Sequence, residues 1–257
     1  MAGSSAATSP PATVLQMFGV TDPLLLTGGT GTSWRAGDLV LKPVGTFLEP
    51  LEWSESLPAT STVRTARPVR ATDGRIAVDG WSATPFLVGS PIDNAWEQIA
   101  TAGRALSNEF TGTAAPEWFT QRDDAWAVAD RVAWDEAPLP ATAPGWLYAL
   151  AERRSCVDSP STLIHGDLTG NTLFHPGLPP AVIDFSPYFR PLEYAVAIVA
   201  VDAVCFEGAQ RGVRELVRGA EAQQLILRAI LFRAITDVVH GVVPTERTYS
   251  PAMALLL

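Results

Sequence analysis

The run Leu163-Ile164-His165-Gly166-Asp167-Leu168-Thr169-Gly170-Asn171 is followed, thirteen residues after its asparagine, by the pair Asp184-Phe185. Two carboxylates and an amide on adjacent loops are the groups needed to hold Mg²⁺ and to orient a hydroxyl for phosphoryl transfer. Asp167 is the candidate to accept or orient the proton of the attacking hydroxyl. Asn171 is a candidate Mg²⁺ ligand through its amide oxygen, and Asp184 the principal one, bridging β- and γ-phosphates. Singly, each has an ordinary explanation, because Asp and Asn form turns and cap strands. Together, with His165-Gly166 ahead and apolar strand-like runs on both sides, they favour the chemical reading.

Further upstream, Lys42 is the single lysine among eighteen basic side chains. It ends the strand-like run Asp38-Leu39-Val40-Leu41-Lys42, where a compact ammonium can pair with the α- and β-phosphates of a nucleotide. The preceding run Gly28-Gly29-Thr30-Gly31-Thr32-Ser33 offers flexible backbone and N–H groups to phosphate oxygens, with Gly29, Gly31 and Ser33 as candidate contacts. Glu52, with Glu55 as second choice, is the carboxylate expected to steer the Lys42 ammonium. His165 reads as a structural anchor that bonds main-chain groups near Asp184, whereas His175 and His240 are isolated.

These groups need a scaffold. From Pro23 to Val88 short strands alternate with turns at Gly28–Gly31, Gly37-Asp38 and Asp79-Gly80, which predicts a small antiparallel sheet. A short helix is expected within Phe47 to Leu57, with Pro50 in its first turn. Ser90-Pro91 with Asp93 reads as a helix start, predicting a helix from Pro91 to Asn108. Helical periodicity then runs through Arg122 to Trp134, Gly145 to Arg154, Leu192 to Glu207 and two segments within Arg211 to Gly241, interrupted by loops and strands from Ser159 to Asp184. The division expected is a tail over residues 1–12, a nucleotide-binding lobe over 13–89 and a helical catalytic and substrate lobe over 90–257, around one cleft.

Composition sets the limits. With 257 residues and 47% hydrophobic side chains the chain can bury a substantial core. A net charge of −9 argues against a broad basic surface for nucleic acid and leans toward a cationic or neutral small substrate. Cys156 and Cys205 lack metal-site spacing, and with no basic, apolar leader at the N-terminus the reading is a reducing cytoplasm. The apolar runs Tyr194 to Phe206 and Leu225 to Val239 are broken by Asp202 and by Arg228, Arg233 and Asp237, so no membrane span is expected. Oligomeric state is left open.

The ordered set of glycine turn, Lys42, HGDLTGN and IDF resembles the aminoglycoside phosphotransferase and choline kinase-like branch of the protein-kinase-like superfamily. The resemblance spans residues 28 to 185, and the run GGTGTSWRAGDLVLKP with DGWSA looks like an uncharacterised bacterial group within that branch. It implies an α+β, protein-kinase-like two-lobed fold and an ATP- and Mg²⁺-dependent kinase acting on a small-molecule hydroxyl. Asp167 would be the catalytic aspartate, Asn171 and Asp184 the Mg²⁺ ligands, Lys42 the phosphate-binding lysine, and Pro85 to Gly89 the hinge that hydrogen-bonds adenine.

Three departures stand out. Only Leu168-Thr169-Gly170 separate Asp167 from Asn171, where the family has four residues. After Asp184-Phe185 the chain reads Ser186-Pro187-Tyr188-Phe189-Arg190-Pro191, so the support of that loop must differ, with Arg190 free to bind an acidic neighbour. No acidic cluster of the second lobe matches an aminoglycoside site. The same cradle, lysine and metal ligands would also serve a non-catalytic nucleotide-binding protein, which the short loop motivates, or nucleotidyl transfer.

Overall fold

The computed structural model describes residues 8–27 and 31–257 and divides the chain into two compact units. The first runs to Ala59 and resumes from Arg64 to Gly89; the second takes Thr60–Val63 and Ser90–Leu257. The short excursion of Thr60–Val63 into the second unit has a clear cause. The N–H groups of Ser61 and Thr62 donate to the two carboxylate oxygens of Glu109 at 2.6 and 2.7 Å, and Val63 is buried.

The first unit opens with α1 (Ala12–Met17), followed by β1 (Leu24–Leu25), β2 (Trp34–Ala36), β3 (Leu39–Pro43), α2 (Glu49–Ser56), β4 (Arg64–Thr65), β5 (Ala77–Val78) and β6 (Trp81–Pro85). Five of these strands form an antiparallel sheet in the order β1-β2-β3-β6-β5. The β5–β6 turn is Asp79-Gly80, both at positive φ (47° and 78°), the conformation a two-residue hairpin turn demands. Alternation along β3 buries Leu41 with Val14, Phe18, Ala36, Val78, Trp81 and Ala83, and directs Lys42 to the other face. The helix α1 begins at the residue where the sequence reading ends the tail, held by burial of Val14. Pro50 sits in the first turn of α2, where its missing N–H costs nothing.

The second unit contains α3 (Trp96–Glu109), α4 (Ala125–Ala133), α5 (Gly145–Ala151), β7 (Ser161–His165), β8 (Thr172–Leu173), β9 (Ala181–Val182), β10 (Pro187–Pro191), α6 (Leu192–Phe206), α7 (Ala222–Val239) and α8 (Glu246–Met253). The expected helix from Pro91 to Asn108 is corrected at its start. Ser90 does not cap it; its N–H donates to Phe174 and its carbonyl accepts from Phe174, at 3.0 and 2.9 Å, and Asn94 turns the chain at φ 59° before the helix begins at Trp96. Asp124 caps α4 by accepting the N–H of Ala127 at 3.0 Å. Every residue of α6 from Tyr194 to Val204 is buried, and α7 is nearly as enclosed, which makes them the central helices of this unit. No helix of the described residues is long and apolar enough to cross a membrane.

Candidate active site

Strand β7 carries the chain into the signature and β8 carries it out, so Asp167 and Asn171 sit on the connecting turn. The turn is helical in character: the N–H of Asn171 and the hydroxyl of Thr172 both donate to the carbonyl of Leu168, at 3.1 Å each. Gly170 supplies the left-handed step at φ 77° that closes it. Although one residue shorter than the resemblance implies, the loop still brings the Asn171 amide onto Asp167. Nδ2 donates to the Asp167 carbonyl at 2.8 Å and to Oδ2 at 3.1 Å, which turns the amide oxygen to the opposite side.

The segment around Asp184 is stitched to this turn at three points. Ile183 N–H donates to Asn171 O at 3.0 Å, Gly166 N–H donates to Ser186 O at 2.8 Å, and the His165 ring meets Ile183 O at 3.1 Å. Because Nδ1 of His165 accepts the N–H of Asp167 at 2.9 Å, the proton is assigned to Nε2, which donates to Ile183. Complete burial pushes the His165 pKa down and keeps the ring neutral. The ring of Phe185 packs edge-on against His165 at 5.5 Å and tilts against Phe110 at 5.9 Å. Asp184 itself is exposed at φ 51°, a conformation that costs energy outside glycine and clusters at functional positions.

Behind the Asp184 segment lies β10, paired antiparallel with β7 from Pro187↔His165 to Pro191↔Ser161. This strand is the support that the departure after Phe185 called for. The ring of Tyr188, 2% exposed, lies against Gly166 so closely that a Cβ there would overlap it. Arg190 donates to Asp130 at 2.6 and 3.0 Å and to Glu136 at 2.6 and 2.7 Å, and its guanidinium lies 4.8 Å over Trp134.

Two charged residues absent from the candidate set enter from the central helices. Arg233 of α7 donates to Asp167 Oδ1 at 2.7 Å and to both carboxylate oxygens of Asp202 of α6, at 2.6 and 2.8 Å. Burial pushes the Asp202 carboxyl up from its usual range, while for Arg233 the two carboxylates outweigh the same penalty and push the guanidinium up. The bidentate geometry favours the ionised pair. The signal was present in the sequence, because Asp202 and Arg233 interrupt otherwise apolar helices, and charges in such runs are seldom buried unless paired.

Arg233 and Asp202 also line a cavity of about 330 Å³ with Thr169, Phe206, Glu207, Thr236, Asp237 and Tyr249. Tyr249 donates to Asp237 at 2.8 Å, and the indole N–H of Trp96 donates to Glu207. Beyond Asp202, which is paired with Arg233, its walls therefore offer two further carboxylates, each with a neutral hydrogen-bond partner.

The remaining candidates belong to the first unit. Lys42 is half-buried on β3, in register with Ser82 of β6. Gly31 turns the chain at φ 69° before β2, and the carbonyl of Ser33 accepts the N–H of Leu26 at 2.9 Å, closing the hairpin; Gly29 lies outside the described residues. Glu52 is exposed in the first turn of α2. Glu55 is taken by Arg70, with contacts of 2.8 and 2.5 Å to its two oxygens.

For Mg²⁺, the oxygen donors of Asn171 and Asp184 fit a hard cation. Among the described residues no group of three or more His, Cys, Asp and Glu side chains could hold a metal ion. One amide and one carboxylate are the sparse protein set with which Mg²⁺ is held when phosphates supply further oxygens.

An antiparallel sheet followed by a helical unit, with the turn of Asp167 and Asn171 between β7 and β8, defines a kinase-like α+β fold. The chain belongs to the phosphotransferase enzyme family, whose model matches residues 47–219. The fold resembles that of an aminoglycoside phosphotransferase from Alicyclobacillus acidocaldarius, with TM-score 0.65 and 14% identity over 98% of this chain and 96% of that one. It also resembles an aminoglycoside phosphotransferase solved in ternary complex with ADP and hygromycin B (TM-score 0.58, 14% identity, 95% and 96% covered). A choline/ethanolamine kinase family protein from Mesorhizobium loti is similar as well (TM-score 0.57, 15% identity, 92% and 88% covered). No curated protein matches the sequence.

Proposed function

We propose that the protein is an ATP- and Mg²⁺-dependent phosphotransferase that moves the γ-phosphoryl group to a hydroxyl of a small molecule. The observation that carries this reading is the fixed carboxylate of Asp167, held by Asn171 on one oxygen and Arg233 on the other beside a cavity that Arg233 itself lines. Phosphoryl transfer asks the protein for positioning and charge neutralisation, and an immobilised acceptor for a hydroxyl proton meets the first demand. The acceptor oxygen forms the new bond to phosphorus, the bond to the β-phosphate oxygen breaks, and the hydroxyl proton leaves by way of Asp167. Asn171 and Asp184 would hold Mg²⁺, which when bound neutralises charge on the β- and γ-phosphates. Lys42 would pair with the α- and β-phosphates, with Gly29, Gly31 and Ser33 as the further candidate phosphate contacts and Glu52 assigned to steer its ammonium.

The acceptor would occupy the 330 Å³ cavity. Its size is at the low end of the ~300–1,000 Å³ range of ligand pockets, which favours a compact molecule. Asp237 and Glu207 favour a cationic or neutral one over an anion. The solved relatives with ADP or ATP bound support nucleotide use.

Two variants test the assignment, using ATP hydrolysis by water when the acceptor is unknown. Asp167→Asn should lose roughly 10²–10⁴-fold in turnover with Mg²⁺-ATP affinity retained, because the phosphates are held elsewhere. Asp184→Ala should instead weaken Mg²⁺-ATP binding in calorimetry. Wild-type protein that neither binds Mg²⁺-ATP nor any other nucleoside triphosphate would refute the proposal.

A further inference from the structure

The pair that joins α6 to α7 contacts the catalytic carboxylate yet belongs to neither loop of the signature. Arg233 presents Nη2 to Asp167 Oδ1 at 2.7 Å and to Asp202 Oδ2 at 2.6 Å, while its Nε serves Asp202 Oδ1 at 2.8 Å. Asp202 is 5% exposed and the Arg233 side chain 13%, so water competes little for the contact between them, whereas the Asp167 side chain is 45% exposed and open to an acceptor. The opposite oxygen of Asp167 is held at 3.1 Å by Asn171. A carboxylate bound at both oxygens has little freedom to rotate.

We propose that Arg233, anchored by Asp202, is a positioning residue for phosphoryl transfer: it fixes the Asp167 carboxylate from the side of the acceptor cavity. The same guanidinium thus lines the cavity and sets the direction of the oxygen that receives the acceptor hydroxyl. Arginine is required because a planar fork can satisfy one carboxylate with two nitrogens and still reach a second, whereas a lysine ammonium is a point charge on a flexible stem. The proposal rests on the phosphotransferase reading of Asp167.

The test compares wild type, Arg233→Lys, Asp167→Asn and the double variant in the full chain, measuring Mg²⁺-ATP affinity by calorimetry and the kcat and KM of ATP turnover. Arg233→Lys should keep Mg²⁺-ATP affinity and lose about 10²-fold in kcat, the penalty of a misplaced catalytic group. The double variant should be no slower than Asp167→Asn alone, because residues that act as a unit are non-additive. Wild-type kcat in Arg233→Lys, or losses that multiply in the double variant, would overturn it. Should Arg233→Lys not fold, Asp202→Asn keeps the side-chain volume and should lower kcat with affinity intact; an unchanged kcat overturns the proposal equally. A wild type without turnover would defeat the phosphotransferase reading instead. The clamp is then read from a double-mutant cycle in urea unfolding of the same variants, where additive losses would refute it.

Discussion

The side chain of His165 accepts the main-chain N–H of Asp167 at 2.9 Å, so the position of the backbone at Asp167 depends on an imidazole being neutral. Protonation would set two donors against each other. Burial lowers the folded-state pKa below the unfolded value of 6.5, so as pH falls from 6.5 toward the folded value the unfolded chain takes up a proton that the native state refuses. Stability should therefore be fully present above pH 6.5 and decline below it, by up to about 1.4 kcal/mol per pH unit from this group. Urea unfolding from pH 7.5 to 5 should show this extra slope in wild type and not in His165→Asn.

Gly166→Ala should disturb the same backbone from the other side. The added methyl overlaps the Tyr188 ring, which is itself enclosed against Phe119 and Phe232. Overpacking of this kind costs typically 1–3 kcal/mol. A second change, Tyr188→Leu, should recover part of the loss in melting temperature; no recovery would mean that the ring is not the obstacle.

Arg190 is the charge that balances buried Asp130, and the pair is isolated from water on the Asp130 side. Arg190→Met should destabilise by about 3–5 kcal/mol, the usual result of leaving a buried charge unpaired. Adding Asp130→Asn should restore most of it, as measured by the urea midpoint.

Lys42→Arg should not be conservative, although arginine serves at every other basic position of the chain. A guanidinium is larger and planar, and beneath phosphates it displaces the groups that an ammonium only touches. Weaker Mg²⁺-ATP binding in calorimetry, with an unchanged melting temperature of the free protein, is the expected outcome. Wild-type affinity would remove Lys42 from the phosphate site.

Local chemistry was written plainly in the sequence. The Asp79-Gly80 turn, the alternation that directs Lys42 away from the core, and the spacing of His165, Asp167 and Asn171 all act over a few residues, where backbone sterics decide. Helix starts were less legible. Ser90 has the residue type of a cap, yet its backbone is claimed by Phe174, more than eighty positions away. Arg233 was hidden for the same reason, since its partners Asp167 and Asp202 lie 66 and 31 residues distant and only the packing of α6 on α7 brings them together. The two charges were visible as interruptions of apolar runs, but their mutual purpose was not.

Apolar surfaces such as those of α6 and α7 are forgiving, because Val, Ile, Leu and Ala can interlock at several neighbouring settings with similar burial. The ion pair between Asp202 and Arg233 removes that tolerance. Rolling either helix by one residue, about 100°, would carry its charge away from the partner and leave a largely buried charge without its counter-ion. The two helices are thus keyed like a shaft and its slot, and the one orientation in which they seat is the orientation that points Arg233 at Asp167.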